Sequence, residues 1–236
     1  MNHSQDQIQA VSFDAYGTLL HLDRPFERLS EELHIIGLDV PMDVVTQVFI
    51  REMHHYRERH LAGNNPQNLL KLRHECADFL FRLLAQEGYS AGVSKNRQLE
   101  VLMRAIRFKL YEDALPVLDW CLGQGLATGV ISNWDCSLRD TLNALCHYKF
   151  SCMLVSACEG LEKSDSELFL RASSCFNLPA SRIVHIGDEV ENDFYGAARA
   201  GFQTILLDRE GTGGQPDGNR IRNLKELPEL FQRVSP

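Results

Sequence analysis

Residues 8–20 read Ile-Gln-Ala-Val-Ser-Phe-Asp-Ala-Tyr-Gly-Thr-Leu-Leu. Positions 8–13 are short, apolar and rich in β-formers, which predicts a buried strand. The run ends on Asp14, and the Tyr16-Gly17-Thr18 that follows predicts a tight loop with a carboxylate at the strand's C-terminal end. Similar strands are predicted at 126–131, 151–155, 183–186 and 204–207, with helical patterns between them. Strands alternating with helices imply a doubly wound, three-layer, Rossmann-like α/β core around a mainly parallel sheet.

The stretch from about Asp23 to Lys109 differs, since it shows helical periodicity and no convincing strand. Val44, Val45, Val48, Phe49 and Met53 recur at helical spacing, as do Leu69, Leu72, Cys76, Phe79, Leu80 and Leu83. Pro66 after Asn65 suits a first helical turn, Gly88 a helix stop, and Ser94 the start of a further helix through Leu99, Leu102, Met103 and Ile106. The expected organisation is therefore a core of residues 1–21 and 110–236, with 22–109 inserted as an all-helical cap over the site. The Gly-rich stretch 211–218 reads as a loop.

Bulk properties narrow the function classes. With 236 residues and 44% hydrophobic content the chain can bury a substantial core. A net charge of −8, without a long run of like charges, disfavours nucleic acid and anionic lipid as partners. No segment has the roughly 18 consecutive apolar residues of a membrane span, and the polar start MNHSQDQ lacks a secretory apolar region. A cytoplasmic protein, monomer or homodimer, acting on a small molecule is expected. The seven cysteines are odd in number, scattered and never spaced C-x-x-C, which predicts reduced, mostly buried thiols.

In open α/β sheets ligands bind beyond the carboxyl ends of the strands, so the polar residues there carry the chemistry. They are Asp14 with Thr18, Ser132 with Asn133, Lys163, and the acidic run 187–193. An aspartate can be a covalent nucleophile. Ser132 and Asn133, read as standing at the start of a following helix, offer donors for substrate oxygens. Lys163 can neutralise the nucleophile and charge that builds up in the transition state. Asp188 beside Asp14 implies a cation between two carboxylates, and hard oxygen ligands favour Mg²⁺.

The ordered motifs FDAYGTLL (13–20), VISNWD (130–135), GLEKS (160–164) and HIGDEVENDFYGA (185–197) resemble those of the haloacid dehalogenase superfamily, and the helical insert stands where that family places its cap. The resemblance implies Asp14 as nucleophile, Thr18 as the neighbour holding its loop, Ser132 and Asn133 as the substrate-binding pair, and Lys163 as charge neutraliser. It also implies Asp188 and the Tyr16 carbonyl as metal ligands, with Asn192 and Asp193 at or just behind the metal. Two departures matter. Where the family's phosphatases usually carry an aspartic acid that protonates the leaving group, this chain has Tyr16, whose phenol, with a pKa of about 10, is a poor acid at neutral pH. Tyrosine there resembles the dehalogenase branch, whereas the acidic fourth motif resembles the metal-dependent phosphatases. Ser164 replaces the family's usual proline after the lysine.

The leading expectation is a Mg²⁺-dependent phosphatase of a small phosphorylated metabolite. The second is a metal-independent 2-haloacid dehalogenase using the same aspartate, and the third a low-turnover regulatory or binding protein. Arg51, in FIREMHHYRERH, is a candidate carboxylate-binding residue. Its competing reading is a solvated helix face on which Arg51, Arg57 and Arg59 alternate with Glu52 and Glu58. Asp193 has the competing reading of a cap for a helix beginning near Phe194, and Trp134 that of a packing residue.

Overall fold

A computed structural model describes residues 7–90, 92–211 and 219–234; the polar start and most of the Gly-rich loop therefore lie outside the described residues. In chain order the elements are β1 (Ala10–Phe13), β2 (Leu20–Leu22), α1 (Pro25–Ile35), α2 (Met42–Arg57), α3 (Pro66–Gln86), α4 (Lys95–Ala105) and β3 (Phe108–Leu110). There follow α5 (Ala114–Gly123), β4 (Ala127–Ser132), α6 (Leu138–Leu145), β5 (Cys152–Val155), α7 (Ser156–Glu159), α8 (Ser166–Phe176) and β6 (Ile183–Gly187). The chain continues with α9 (Gly196–Arg199), β7 (Gln203–Leu207), β8 (Asn219–Ile221) and α10 (Leu227–Val234). Among the described residues they form two compact units: Met1–His21, Leu110–Trp134 and Leu138–Pro236 in one, and Leu22–Lys109 with Asp135–Ser137 in the other.

The first unit is built on a six-stranded sheet in the order β5-β4-β1-β6-β7-β8, with every neighbouring pair parallel. Strands β1 and β6 are buried along their whole length, as expected of a parallel sheet covered by helices. Helices α8 and α9 pack on it through Leu168, Phe169, Ala172 and Ala197, which join Ala10, Ile131, Leu154 and Ile183 in one core. The order has a direct consequence. From central β1 the chain adds β4 and β5 on one side and then β6, β7 and β8 on the other, so the C-terminal end of β1 lies at the reversal of strand order, where such sheets bind ligands.

In the helical unit α1 packs on α2 and α4, and α3 on α2 and α4, around Leu29, Leu33, Val48, Phe49, Leu80 and Leu84. The helix starts follow the sequence: the Asn65 side chain accepts from Asn68 N ahead of Pro66, and the Ser94 side chain from Arg97 N. Two short strands, β2 and β3, escape periodicity analysis because three residues carry no measurable alternation.

One element of the solvated-face reading is overturned. Arg51, Arg57, Glu58 and Arg59 are exposed, but Glu52 is buried, 3% exposed. It falls three and four positions after Phe49 and Val48, on the apolar stripe of α2, and meets Cys76. Burial pushes its carboxyl from an ordinary 4.5 up to about 7, with the contact to Cys76 opposing. A folded-state value above the unfolded one means no penalty below about pH 4.5 and a growing penalty until about pH 7, on the order of 3 kcal/mol in full. Glu52→Gln is expected to raise the melting temperature by several degrees at pH 8 and hardly at all at pH 5. An equal shift at both pH values in differential scanning calorimetry would contradict this.

Candidate active site

Asp14 continues β1, its N–H donating to Ile186 O at 2.8 Å, and the residue is 4% exposed. Its Oδ1 accepts from Ser132 Oγ at 2.9 Å and from Lys163 Nζ at 2.6 Å. Both bonds fall on one oxygen, so Oδ2 is the atom available for attack or ligation. Lys163 is 2% exposed, and its ammonium also bonds Asp193 Oδ1 at 2.6 Å. Burial works to lower its pKa, but Asp14 and then Asp193 outweigh that and hold it above the ordinary lysine value.

Asp193 lies in the π-helical turn Val190–Tyr195, a geometry that recurs at functional sites. Its Oδ1 accepts from Lys163 and from His185 Nε2 at 3.0 Å, and its Oδ2 from Glu189 N at 3.0 Å. Burial opposes ionisation, yet Lys163 and then His185 hold the carboxyl far below the usual range. Its carboxylate thus orients Lys163 rather than capping a helix at Phe194. His185, inside β6, is neutral because burial lowers its pKa against the pull of Asp193. With Nε2–H aimed at Asp193, Nδ1 accepts from Ser12 Oγ at 2.9 Å, and the edge of Phe169 closes the ring in, 5.0 Å between centroids.

Asp188, one residue past β6, is open to solvent, unlike Asp14 and Asp193. The buried acids are Asp14 and Asp193, and Lys163 stands between them. Partial desolvation, then Asp193, still raises Asp188 to about 6. Asp14 is raised by burial first and then by Asp193 and Asp188, with Lys163 opposing. One ligand oxygen from each of Asp14, Asp188 and Asp193 lies within 4.8 Å of the others. Three carboxylates against one ammonium leave a formal charge of −2, so hard oxygen donors and charge both fit a divalent cation.

Three glycines make this approach possible. A Cβ on Gly187 would stand 2.1 Å from Asp193 Cγ, one on Gly17 2.3 Å from Asp188 Oδ2, and one on Gly196 2.4 Å from the Lys163 carbonyl. Gly17 also has φ of 83°.

The other sequence candidates fall as follows. Asn133 Oδ1 accepts from Lys163 N at 2.9 Å, so its carbonyl holds the lysine loop. Ser132 ends β4, but no helix starts there: Trp134 N donates to Ser156 Oγ, Asp135 turns onto Ser137, and α6 begins only at Leu138. The expected helix-start donors are therefore absent at that position, because Asp135 takes its own side-chain turn. Trp134 is buried, as packing requires. Thr18 is fully buried and its hydroxyl has no hydrogen-bond partner among the described residues; its carbonyl is the engaged group. Tyr16 is half-buried in the loop after Asp14, Asn192 Nδ2 donates to Glu189 Oε2, and Arg51 is exposed on α2 of the helical unit. Ser12 and His185 were not legible as site residues, since a lone polar side chain in an apolar strand carries no pattern.

No helix among the described residues is long and apolar enough to cross a membrane. A family profile described as haloacid dehalogenase-like hydrolase matches residues 8–201. The chain is 25% identical over 235 residues to a glyceraldehyde 3-phosphate phosphatase of Methanopyrus kandleri, covering 94% of this chain and 92% of that one. It is 26% identical over 240 residues to (S)-2-haloacid dehalogenase 1 of Pseudomonas sp., covering 98% and 99%. The haloacid dehalogenase-like hydrolase domain-containing protein 3 of Danio rerio is 30% identical over 134 residues, 53% of this chain, and the match spans about half that relative's length, 54%. Among solved structures, the L-2-haloacid dehalogenase of Xanthobacter autotrophicus superposes with a TM-score of 0.69 at 15% identity, covering 97% and 100%, a likeness of fold.

Proposed function

The chain belongs to the haloacid dehalogenase-like hydrolases, and from that premise we propose that it is a Mg²⁺-dependent phosphatase of small phosphorylated metabolites, with Asp14 as nucleophile. The observation that carries this reading is the convergence of Asp14, Asp188 and Asp193, of which Asp14 and Asp193 share a single ammonium, leaving a formal charge of −2 for a divalent cation to balance. Asp14 Oδ2 attacks phosphorus in line while Ser132 and Lys163 hold Oδ1, and the aspartyl-phosphate forms as the ester P–O bond breaks and the alkoxide or phenoxide leaves with its electron pair. Lys163, fixed by Asp193 and by Asn133 through its own backbone, keeps its charge beside the phosphoryl oxygens. Water then hydrolyses the aspartyl-phosphate and returns Asp14. A cation held by Asp14 and Asp188, with Asp193 and the Tyr16 carbonyl alongside, would add positive charge at the same oxygens.

Tyr16 sharpens the test. Without a carboxylic acid two residues beyond the nucleophile, leaving groups depart largely unprotonated, so rates should fall steeply as leaving-group pKa rises. Mg²⁺-dependent hydrolysis of an aryl phosphate, lost in chelator and much slower for alkyl phosphates, is the expected result. Chelator-resistant hydrolysis would overturn the metal argument. Tyr16 also supports the second reading, displacement of halide from a 2-halo acid by Asp14. Halide release from 2-chloropropionate in chelator, with no phosphate release in Mg²⁺, would select it. Binding of a phosphate mimic without turnover of either substrate class would favour the regulatory reading.

A further inference from the structure

Arg209, two residues beyond β7, holds the loop that follows the nucleophile through contacts far from it in sequence. Its Nε donates to the Gly17 carbonyl at 3.1 Å and its Nη2 to the Thr18 carbonyl at 2.7 Å. The next carbonyl, that of Leu19, accepts from Tyr111 N at 3.0 Å, so three successive carbonyls of the loop are tied down. The guanidinium is itself fixed from two sides. Asp113 takes it bidentately, Oδ2 from Nη1 at 2.9 Å and Oδ1 from Nη2 at 3.0 Å, and the guanidinium carbon lies 3.7 Å from the centroid of the Tyr111 ring. Asp113 is 5% exposed, and its Oδ2 also accepts from Leu224 N at 2.8 Å, which anchors the clasp to the C-terminal part of the unit.

The loop closes on itself through Gly17 N to Leu20 O and through Leu19 N and Leu20 N to Ala15 O, each at 2.9 Å, and Arg209 holds the Gly17 and Thr18 carbonyls that these bonds leave over. The Thr18 hydroxyl makes no hydrogen bond among the described residues, and Gly17 sits in the left-handed region against Asp188 with no room for a Cβ. A small shift at Gly17 would move the loop into Asp188 on one side and carry Tyr16 and Asp14 with it on the other. Displacements of about 1 Å at reacting groups cost on the order of 10²-fold in rate.

We propose that Arg209 is a positioning residue: its planar guanidinium, set by Asp113 and Tyr111, locks the carbonyls of Gly17 and Thr18 and so fixes the loop from Ala15 to Leu20 in the conformation that presents Asp14 and Tyr16. The proposal rests on the reading of Asp14 as nucleophile for its catalytic consequence, and on the loop geometry alone for its structural one. A lysine cannot reproduce the fork that meets two carbonyls and a carboxylate at once.

The test compares wild type with Arg209→Lys and Arg209→Met in the full chain, using p-nitrophenyl phosphate turnover, amide hydrogen exchange and melting temperature. For Arg209→Lys, kcat should fall about 10- to 100-fold with KM changed much less. The amides of Gly17, Leu19 and Leu20 should exchange about tenfold faster while β1 and β6 stay protected. Added guanidinium ion at millimolar concentration should recover part of the kcat lost in Arg209→Met. A kcat within twofold of wild type together with unchanged loop exchange in Arg209→Lys overturns the proposal. So does faster exchange throughout the sheet, which would make the residue a general stabiliser. Should Arg209→Met not fold, Arg209→Lys decides. Should the wild type hydrolyse no phosphate ester, the phosphatase reading fails, and the exchange comparison still decides the clasp.

Discussion

Turnover at least about 10⁴-fold slower, with no covalent phosphoryl adduct on the protein, is the expected result of Asp14→Asn, since losing a nucleophile in a comparable covalent mechanism costs even more. Asparagine keeps the shape and a carbonyl that can still accept from Ser132 and Lys163 where Asp14 Oδ1 now does. What it loses is the nucleophilic oxygen and one negative charge. The same substitution should stabilise the fold in the absence of cation. Asp14 is buried and faces Asp193 and Asp188, which raises its pKa, so its ionised form carries a penalty that a neutral isostere removes. A raised folded-state value places that gain at higher pH: the variant should melt higher than wild type at pH 8 and gain less at pH 5. Mass spectrometry after rapid quench and calorimetry in chelator provide the two readings. Retained turnover of the aryl phosphate would remove Asp14 from its assigned role; a melting temperature lowered equally at both pH values would refute the electrostatic account while leaving the chemistry standing.

Which parts of this arrangement could be read from the chain alone follows from how local their causes are. Strands β1 and β6 were legible because burial on both faces demands a mainly apolar run, broken here only by Ser12 and His185, and because a carboxylate follows each strand. Helices α3 and α4 announced their starts through Asn65-Pro66 and Ser94, whose capping bonds span only three residues. Lys163 and the acids were legible as an ordered set of motifs. Glu52 was misread because charge alternation and an apolar stripe can share one helix, and a single carboxylate inside the stripe looks like its solvated neighbours. The helix start expected after Ser132 was misplaced, because the chain turns at Asp135 before α6 begins. Arg209 and Asp113 stand 96 residues apart, and Arg209 and Thr18 191 apart, so nothing in their local spacing marks them as partners. His185 meets Asp193 through the turn that follows β6 and meets Ser12 through the pairing of β1 with β6, and neither relation shows in the spacing of the chain.

Lys163→Met should damage both stability and turnover, and the way the two separate tests whether the lysine is structural cement or catalytic charge. Removing the ammonium leaves Asp14 and Asp193 buried without their shared partner, and breaking a buried pair from one side costs about 3–5 kcal/mol. The expected urea midpoint in chelator is correspondingly lower, with turnover down by about 10³-fold or more. A second substitution distinguishes the causes. In Lys163→Met combined with Asp14→Asn one of the two stranded charges is gone, so Asp14→Asn should stabilise Lys163→Met by more than it stabilises wild type, a coupling expected of groups in contact. Saturating Mg²⁺ should likewise recover stability in Lys163→Met, because positive charge near Asp14 offsets what the lysine supplied, yet turnover should stay low, because the cation does not replace the ammonium between Asp14 and Asp193. If Mg²⁺ restores turnover along with stability, Lys163 serves only to hold the acids apart; if neither stability nor turnover changes in Lys163→Met, the buried ion-pair triad does not carry the function assigned to it.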